Sequence, residues 1–184
     1  MQKEVPYIQL IQEHAAIKNE LLESIEQVIN HGQFILGPEV AKLEESFSSL
    51  CQTKYAVGVN SGTDALVLSL EALGIGPGDE VITAPNSFLA SASSIIMAGA
   101  KPVFVDVGDD YNIDVDLIEP NITPRTKAIL PVHLTGRPAN MEKIGEIAQK
   151  HSLFIIEDAA QAITAEYNGK RVGLFGDTGC FSCH

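Results

Sequence analysis

The sequence is poor in positive charge: 12 Lys and Arg stand against 24 Asp and Glu, for a formal net charge of −12. That balance argues against a nucleic-acid partner, which would want a basic face. Beyond this, net charge speaks to solubility and association rather than fold. The chain has no run of 18 or more apolar residues, so no membrane-spanning helix is expected. The first residues, Met1-Gln2-Lys3-Glu4-Val5-Pro6, lack the charged-then-apolar pattern of a secretion signal. Cysteine is scarce, with three in 184 residues. With no export signal, the expected setting is the reducing cytoplasm. Internal repeats, low-complexity stretches and Pro/Ser-rich linkers are also missing. What is present is an ordinary globular composition, 45% hydrophobic and 20% charged, and enough chain for a substantial core.

Apolar residues from Leu10 to Ile29 recur at helical spacing and predict one amphipathic helix, with Gly32 as its stop. A second helix is expected to start at Pro38, a residue suited to a first helical turn, and to run through Val40, Leu43 and Phe47. From Tyr55 the pattern becomes an alternation. Strands are expected at Tyr55–Val59, Glu80–Thr83, Pro102–Asp106, Ala128–Val132, Leu153–Glu157 and Gly179–Ser182. Helices are expected at Thr63–Leu73, Leu89–Met97 and Met141–His151. Strands interleaved with helices imply crossover units and a mostly parallel sheet covered on both faces, an α/β architecture. The reading divides the chain into an N-terminal helical segment, 1–37, and a larger domain, 38–184. The chain ends on Cys180-Phe181-Ser182-Cys183-His184, in or just after a strand, which is the expectation for a fragment.

Two segments carry chemistry. In Val59-Asn60-Ser61-Gly62-Thr63-Asp64-Ala65-Leu66 a strand ends, a Ser-Gly-Thr turn follows and a helix starts. Unpaired N–H groups and a partial positive charge make such a start a seat for phosphate, although Ser and Thr also serve as ordinary helix caps. The P-loop lysine is absent, as is a Gly-x-Gly-x-x-Gly fingerprint, which disfavours a nicotinamide cofactor. In Phe154-Ile155-Ile156-Glu157-Asp158-Ala159-Ala160-Gln161 two acids end an apolar strand, at the edge where open α/β sheets bind ligands. An acid there must be paired, solvated or functional. Asp158 is placed to hold a cationic ring nitrogen, a Mg²⁺ ion or a helix cap.

Together these segments resemble the DegT/DnrJ/StrS family of pyridoxal-phosphate (PLP) dependent aminotransferases acting on nucleotide-linked sugars. The residues that carry the resemblance are Ser61-Gly62-Thr63-Asp64-Ala65-Leu66, Pro131-Val132-His133-Leu134-x-Gly136, Glu157-Asp158-Ala159-Ala160-Gln161 and Gly176-Asp177-x-Gly179-Cys180-Phe181-Ser182. Pro102-Val103-Phe104-Val105-Asp106 and the stretch from Gly32 to Val40 look like the same family. The resemblance implies the large domain of the fold-type-I PLP transferases, cut off before a smaller C-terminal domain. It implies that Gly62, Thr63, Asp64 and Ser182 hold the cofactor phosphate. Phe88 would stack on the pyridine ring, Asp158 would pair with the pyridine nitrogen, and Gln161 would contact the phenolic oxygen. Without the resemblance, Phe88 reads as a core aromatic. The resemblance further implies a homodimer with active sites built from both subunits, a nucleotide-sugar substrate and glutamate as amino donor. Phe34–Leu36 is then a candidate dimer or substrate contact.

The family's Schiff-base lysine lies a few residues beyond the Phe-Ser-x-His segment, outside this chain. Lys127, Lys143, Lys150 and Lys170 do not match its position. A histidine there marks relatives that dehydrate sugars, and a PLP-fold binding or regulatory protein is a third reading. This chain alone is therefore expected to be inactive. Cys180-x-x-Cys183-His184 has the spelling of a haem-attachment motif, and with Cys51 it could make a zinc site. Buried free thiols are the simpler account, and no metal is expected. His133 reads as a structural histidine, Lys170 as a solvated charge in a turn, and the five aspartates of Asp106–Asp116 as a surface loop without EF-hand spacing.

Overall fold

Every strand that ends at a chemically suggestive residue lies in one parallel sheet. In the computed structural model, which describes Pro6 and residues 9–183, strands β1 (Glu80–Thr83), β2 (Lys101–Phe104), β3 (Thr126–Leu130), β4 (Phe154–Asp158) and β7 (Thr178–Cys180) are ordered β2-β1-β3-β4-β7. All their pairings are parallel. Between β4 and β7 a two-stranded hairpin, β5 (Glu166–Tyr167) and β6 (Lys170–Arg171), turns through Asn168 and Gly169. Lys170 at this turn is exposed, with its ammonium 4.5 Å from the centre of the Phe175 ring, so it is a solvated charge as expected.

Side-chain alternation sorts the strand residues into two cores. On one face Ile82, Ile129 and Ile155 pack with Met141, Ile144 and Ala148 of α6 (Met141–His151). On the other, Val81, Leu130 and Ile156 pack with Leu66 and Leu70 of α4 (Gly62–Ala72) and Ile95 of α5 (Leu89–Met97). Each fully buried Ile or Leu stabilises the fold by about 1.5–3 kcal/mol relative to exposure, an upper figure because unfolded chains are partly collapsed. Helix ends follow local chemistry. Ser61 caps α4 by accepting from the Asp64 N–H at 3.1 Å, and Asn140 caps α6 by accepting from the Lys143 N–H. These helices and strands belong to a compact unit spanning Glu45–His184.

The other unit, Met1–Glu44, holds α1 (Leu10–Ala15), α2 (Lys18–His31) and the start of α3 (Pro38–Cys51). The single helix expected over Leu10–Ile29 is broken, because Ile17 (φ −107°, ψ 5°) steps out of helical geometry. Gly32 ends α2 in the left-handed conformation (φ +70°), as anticipated. No residue of α1 or α2 is buried, and Ile11, Ile25, Ile29 and Phe34–Leu36 are exposed. The apolar stripe of α2 is thus present but uncovered among the described residues.

The strand expected at Tyr55–Val59 is also corrected. Residues 55–59 are assigned no strand, and Tyr55, Val57 and Val59 are exposed. β-rich composition shows that a segment suits a half-buried pleated surface, but a strand forms only against a partner edge.

Candidate active site

The carboxyl ends of β4 and β7 lie beside α4, and there the sequence-predicted residues gather. Asp158 ends β4 opposite Cys180 of β7, and the Ala159 N–H donates to the Cys180 carbonyl at 2.8 Å. Two residues beyond Cys180, Ser182 lies against Gly62. A Cβ placed on Gly62 would sit 3.0 Å from the Ser182 Cβ, a contact tight enough that Ser182 would have to shift by a few tenths of an ångström. The half-buried Gly62, Thr63 and Asp64 form the first turn of α4. N–H groups and hydroxyls therefore converge at this end of the site, the arrangement that binds a phosphate.

Asp158 lies at the other end of the site, only 5% exposed. Its Oδ2 accepts from the Ser91 hydroxyl at 2.7 Å and its Oδ1 from the Ala160 N–H at 3.3 Å. Both donors are neutral, and among the described residues no Lys, Arg or His forms an ion pair with Asp158. Burial of a carboxylate without a cation is costly, so the site suits a ligand that brings a cationic N–H. Ser91 itself donates its backbone N–H to the Phe88 carbonyl, and its hydroxyl lies 2.9 Å from that of Ser87. Phe88 stands at the N-cap of α5 and is 78% exposed, which overturns the core-aromatic reading and leaves the residue accessible for stacking. Gln161 follows β4, and its Oε1 accepts from the Thr135 N–H at 3.0 Å. That bond turns the amide N–H2 away from Thr135 as the group able to donate.

The neighbouring acid has a different environment. Glu157, fully buried, accepts from the N–H groups of Gly173, Phe175 and Gly176 and from His133 Nε2 at 3.0 Å. His133 Nδ1 accepts from the Ala139 N–H, so the ring proton sits on Nε2 and is donated to Glu157. His133 is the buried structural histidine that its sequence context suggested. Sequence reasoning missed Ser91 and the loop 173–176, since nothing local marks a helical serine as the partner of an acid 67 positions away.

The three cysteines differ in exposure. Cys51 and Cys180 are buried free thiols, whereas Cys183 is exposed, contrary to a uniform reading of buried thiols. His184 lies outside the described residues. Burial pushes the Cys180 thiol up to about 11, despite its 3.3 Å contact with the Ser69 hydroxyl, so without a bound cation it is a neutral thiol at neutral pH. No group of three or more His, Cys, Asp and Glu among the described residues could hold a metal ion. Three of the five aspartates of 106–116 serve local turns: Asp106, Asp110 and Asp114 accept from the N–H groups of Val107, Asn112 and Asp116.

Residues 15–184 match the DegT/DnrJ/EryC1/StrS aminotransferase family. The chain belongs to this family. It is 50% identical over 179 residues to a UDP-N-acetyl-3-dehydro-α-D-glucosamine 3-aminotransferase of Acidithiobacillus ferrooxidans, covering 97% of this chain and 48% of that one. It is 46% identical to a pleiotropic regulatory protein of Geobacillus stearothermophilus, covering 97% of this chain and 48% of that protein. Among solved structures it resembles NtdA of Bacillus subtilis with its cofactor PMP bound. There the TM-score is 0.87 at 37% identity, over 94% of this chain and 41% of that one. The chain thus spans about half the length of the curated relatives it matches. Its sheet and covering helices are the N-terminal part of the fold-type-I large domain of the PLP-dependent aminotransferases. No helix among the described residues is long and apolar enough to cross a membrane.

Proposed function

We propose that this chain is the N-terminal half of a PLP-dependent aminotransferase that converts a nucleotide-linked keto sugar into an amino sugar, with glutamate as donor. The observation that carries the reading is Asp158, a buried carboxylate at a strand end whose partners are neutral. A protonated ring nitrogen supplies the charge it lacks. When bound, PLP contributes an electron sink for moving an amino group. Asp158 holds the proton on the ring nitrogen, and Ser91 fixes the carboxylate that does so. N–H groups of Gly62 and Thr63, with the hydroxyls of Thr63 and Ser182, bind the phosphate at the first turn of α4, which Asp64 completes with its N–H on the Ser61 cap. The open face of Phe88 covers one side of the ring, and the Gln161 amide donates to the phenolic oxygen.

The sugar-nucleotide substrate is supported by the activity for which the Acidithiobacillus relative is named. The Schiff-base lysine is assigned to polypeptide beyond this chain. In this reading the protein is a homodimer with shared active sites, and the exposed Phe34–Leu36 segment contacts the partner subunit or the sugar. Three free cysteines fit a reducing, cytoplasmic setting. The domain limits are those of the sequence reading, a helical segment over 1–37 and a cofactor domain over 38–184.

The similarity to a pleiotropic regulatory protein supports a second reading, a protein that keeps the cofactor cradle without turnover. One experiment separates the readings. The full-length gene product should carry a visible cofactor band that borohydride bleaches by reducing the lysine bond. It should also transfer nitrogen from glutamate to a nucleotide-linked keto sugar. Weak, reversible cofactor binding with no lysine bond for borohydride to reduce, and no transfer, favours the regulator. Bound cofactor that resists bleaching, with a histidine at the lysine position, favours the sugar dehydratase.

A further inference from the structure

Glu157 and His133 have no part in the chemistry proposed above, yet both are fully buried and the Glu157 carboxylate accepts four hydrogen bonds. Side-chain alternation points Glu157 to the opposite sheet face from Asp158, away from the ring. Its Oε1 accepts from the Phe175 and Gly176 N–H groups at 2.7 and 2.8 Å. Its Oε2 accepts from the Gly173 N–H at 2.7 Å and from His133 at 3.0 Å. One carboxylate therefore gathers the whole loop 173–176 under the end of β4.

That loop in turn backs the phosphate end of the site. Gly173, in the left-handed region at φ +85°, lies so close to Phe181 that a Cβ there would stand 2.5 Å from the ring. A Cβ on Gly179 would stand 2.6 Å from the Gly173 Cα, so loop and β7 are in direct backbone contact. Phe181 precedes Ser182, and Ser182 lies against Gly62. The physical chain runs from Glu157 through the loop and Phe181 to the hydroxyl and turn that face the phosphate.

We propose that Glu157, oriented by the N–H that His133 donates to it, is a positioning residue for the cofactor phosphate and not for the cofactor ring. This inference rests on the reading of the sheet edge as a PLP site. Glu157→Gln is the isosteric test. An amide presents one acceptor oxygen and one N–H2, so whichever way it lies, donors face donors at Gly173 or at Phe175 and Gly176. A buried N–H left without an acceptor is costly, and the loop is freed.

The experiment compares binding of pyridoxal 5′-phosphate and of unphosphorylated pyridoxal to the full-length gene product and to Glu157→Gln. Hydrogen exchange at the amides of Gly173, Phe175 and Gly176 is followed alongside. The expected result is a loss of about ten-fold or more for PLP with pyridoxal binding unchanged, and faster exchange at the three amides. Equal losses for both ligands, or no loss for either, overturn the proposal, because a merely structural glutamate does not distinguish them. Should Glu157→Gln fail to fold, the milder His133→Gln keeps a donor toward Glu157. It must then show a smaller loss with the same preference, and a loss shared by both ligands overturns the proposal equally. If the wild-type protein itself does not prefer PLP to pyridoxal, the phosphate seat falls and this inference with it.

Discussion

The two ends of the sheet each bury a carboxylate, and the two are treated in opposite ways. At the amino end Glu80, 2% exposed, is held by the Thr123 hydroxyl at 2.6 Å, by Arg125 at 2.8 Å and by Lys101 at 3.2 Å. These partners lie on or beside β1, β2 and β3, so Glu80 clamps the three strand starts. At the carboxyl end Asp158 has a hydroxyl and a peptide N–H as partners and no cation. A carboxylate with its cations in place is structurally complete. One held by neutral donors retains uncompensated charge, which a ligand can use. Burial alone does not separate the two, but the charge of the partners does.

The largest effect that would test this contrast is at Asp158. Asp158→Asn keeps the shape and removes the charge, and turnover of the full-length protein should fall by roughly 10²–10³-fold, with the melting temperature little changed. A variant that turns over at the wild-type rate refutes the pyridine-nitrogen assignment. Ile129→Ala strikes the core beneath both ends and should cost about 2–5 kcal/mol in urea unfolding. A much smaller loss would show that the sheet centre relaxes around the cavity.

Glu80 should answer to acid. Hydrogen bonds from Thr123 and then Arg125, reinforced by Lys101, lower its carboxyl from 4.5 to about 2. A carboxyl lowered by folding contributes stability that is fully present above pH 4.5 and is lost as pH falls toward 2. Urea midpoints between those limits should therefore drop for the wild type and drop less for Glu80→Gln, which is also weaker at neutral pH. Parallel curves would remove Glu80 from its clamping role. The smallest effect on either end of the sheet is expected from charges placed at Phe34, Ile35 and Leu36 in the other unit. Stability should shift by no more than about 0.5 kcal/mol, while dimerisation or sugar binding weakens. No change in either would exclude this segment as a contact.

How far the sequence could be read depended on the range of the interaction. Glu80–Thr83, Leu89–Met97 and Met141–His151 are found where expected, because hydrophobic period and short turns are local signals. The Ser61 cap and the Gly32 stop are local too. Failures occur where a distant partner decides. Tyr55–Val59 has strand composition but no strand beside it, and Ile17 breaks a helix whose apolar pattern runs straight through the break. The Ser91 hold on Asp158 and the four donors on Glu157 join residues 16 to 67 positions apart. No spacing rule encodes them.

By itself the sequence determined the alternating α/β plan, the family, and the identity of the residues at the sheet's carboxyl edge, since short motifs in order carry that information. Only the tertiary structure decided what surrounds each acid. Glu157 and Asp158 are neighbours in the chain with the same functional group. The alternation of a β-strand sends one among backbone N–H groups that saturate it, and the other to a serine that leaves its charge unanswered.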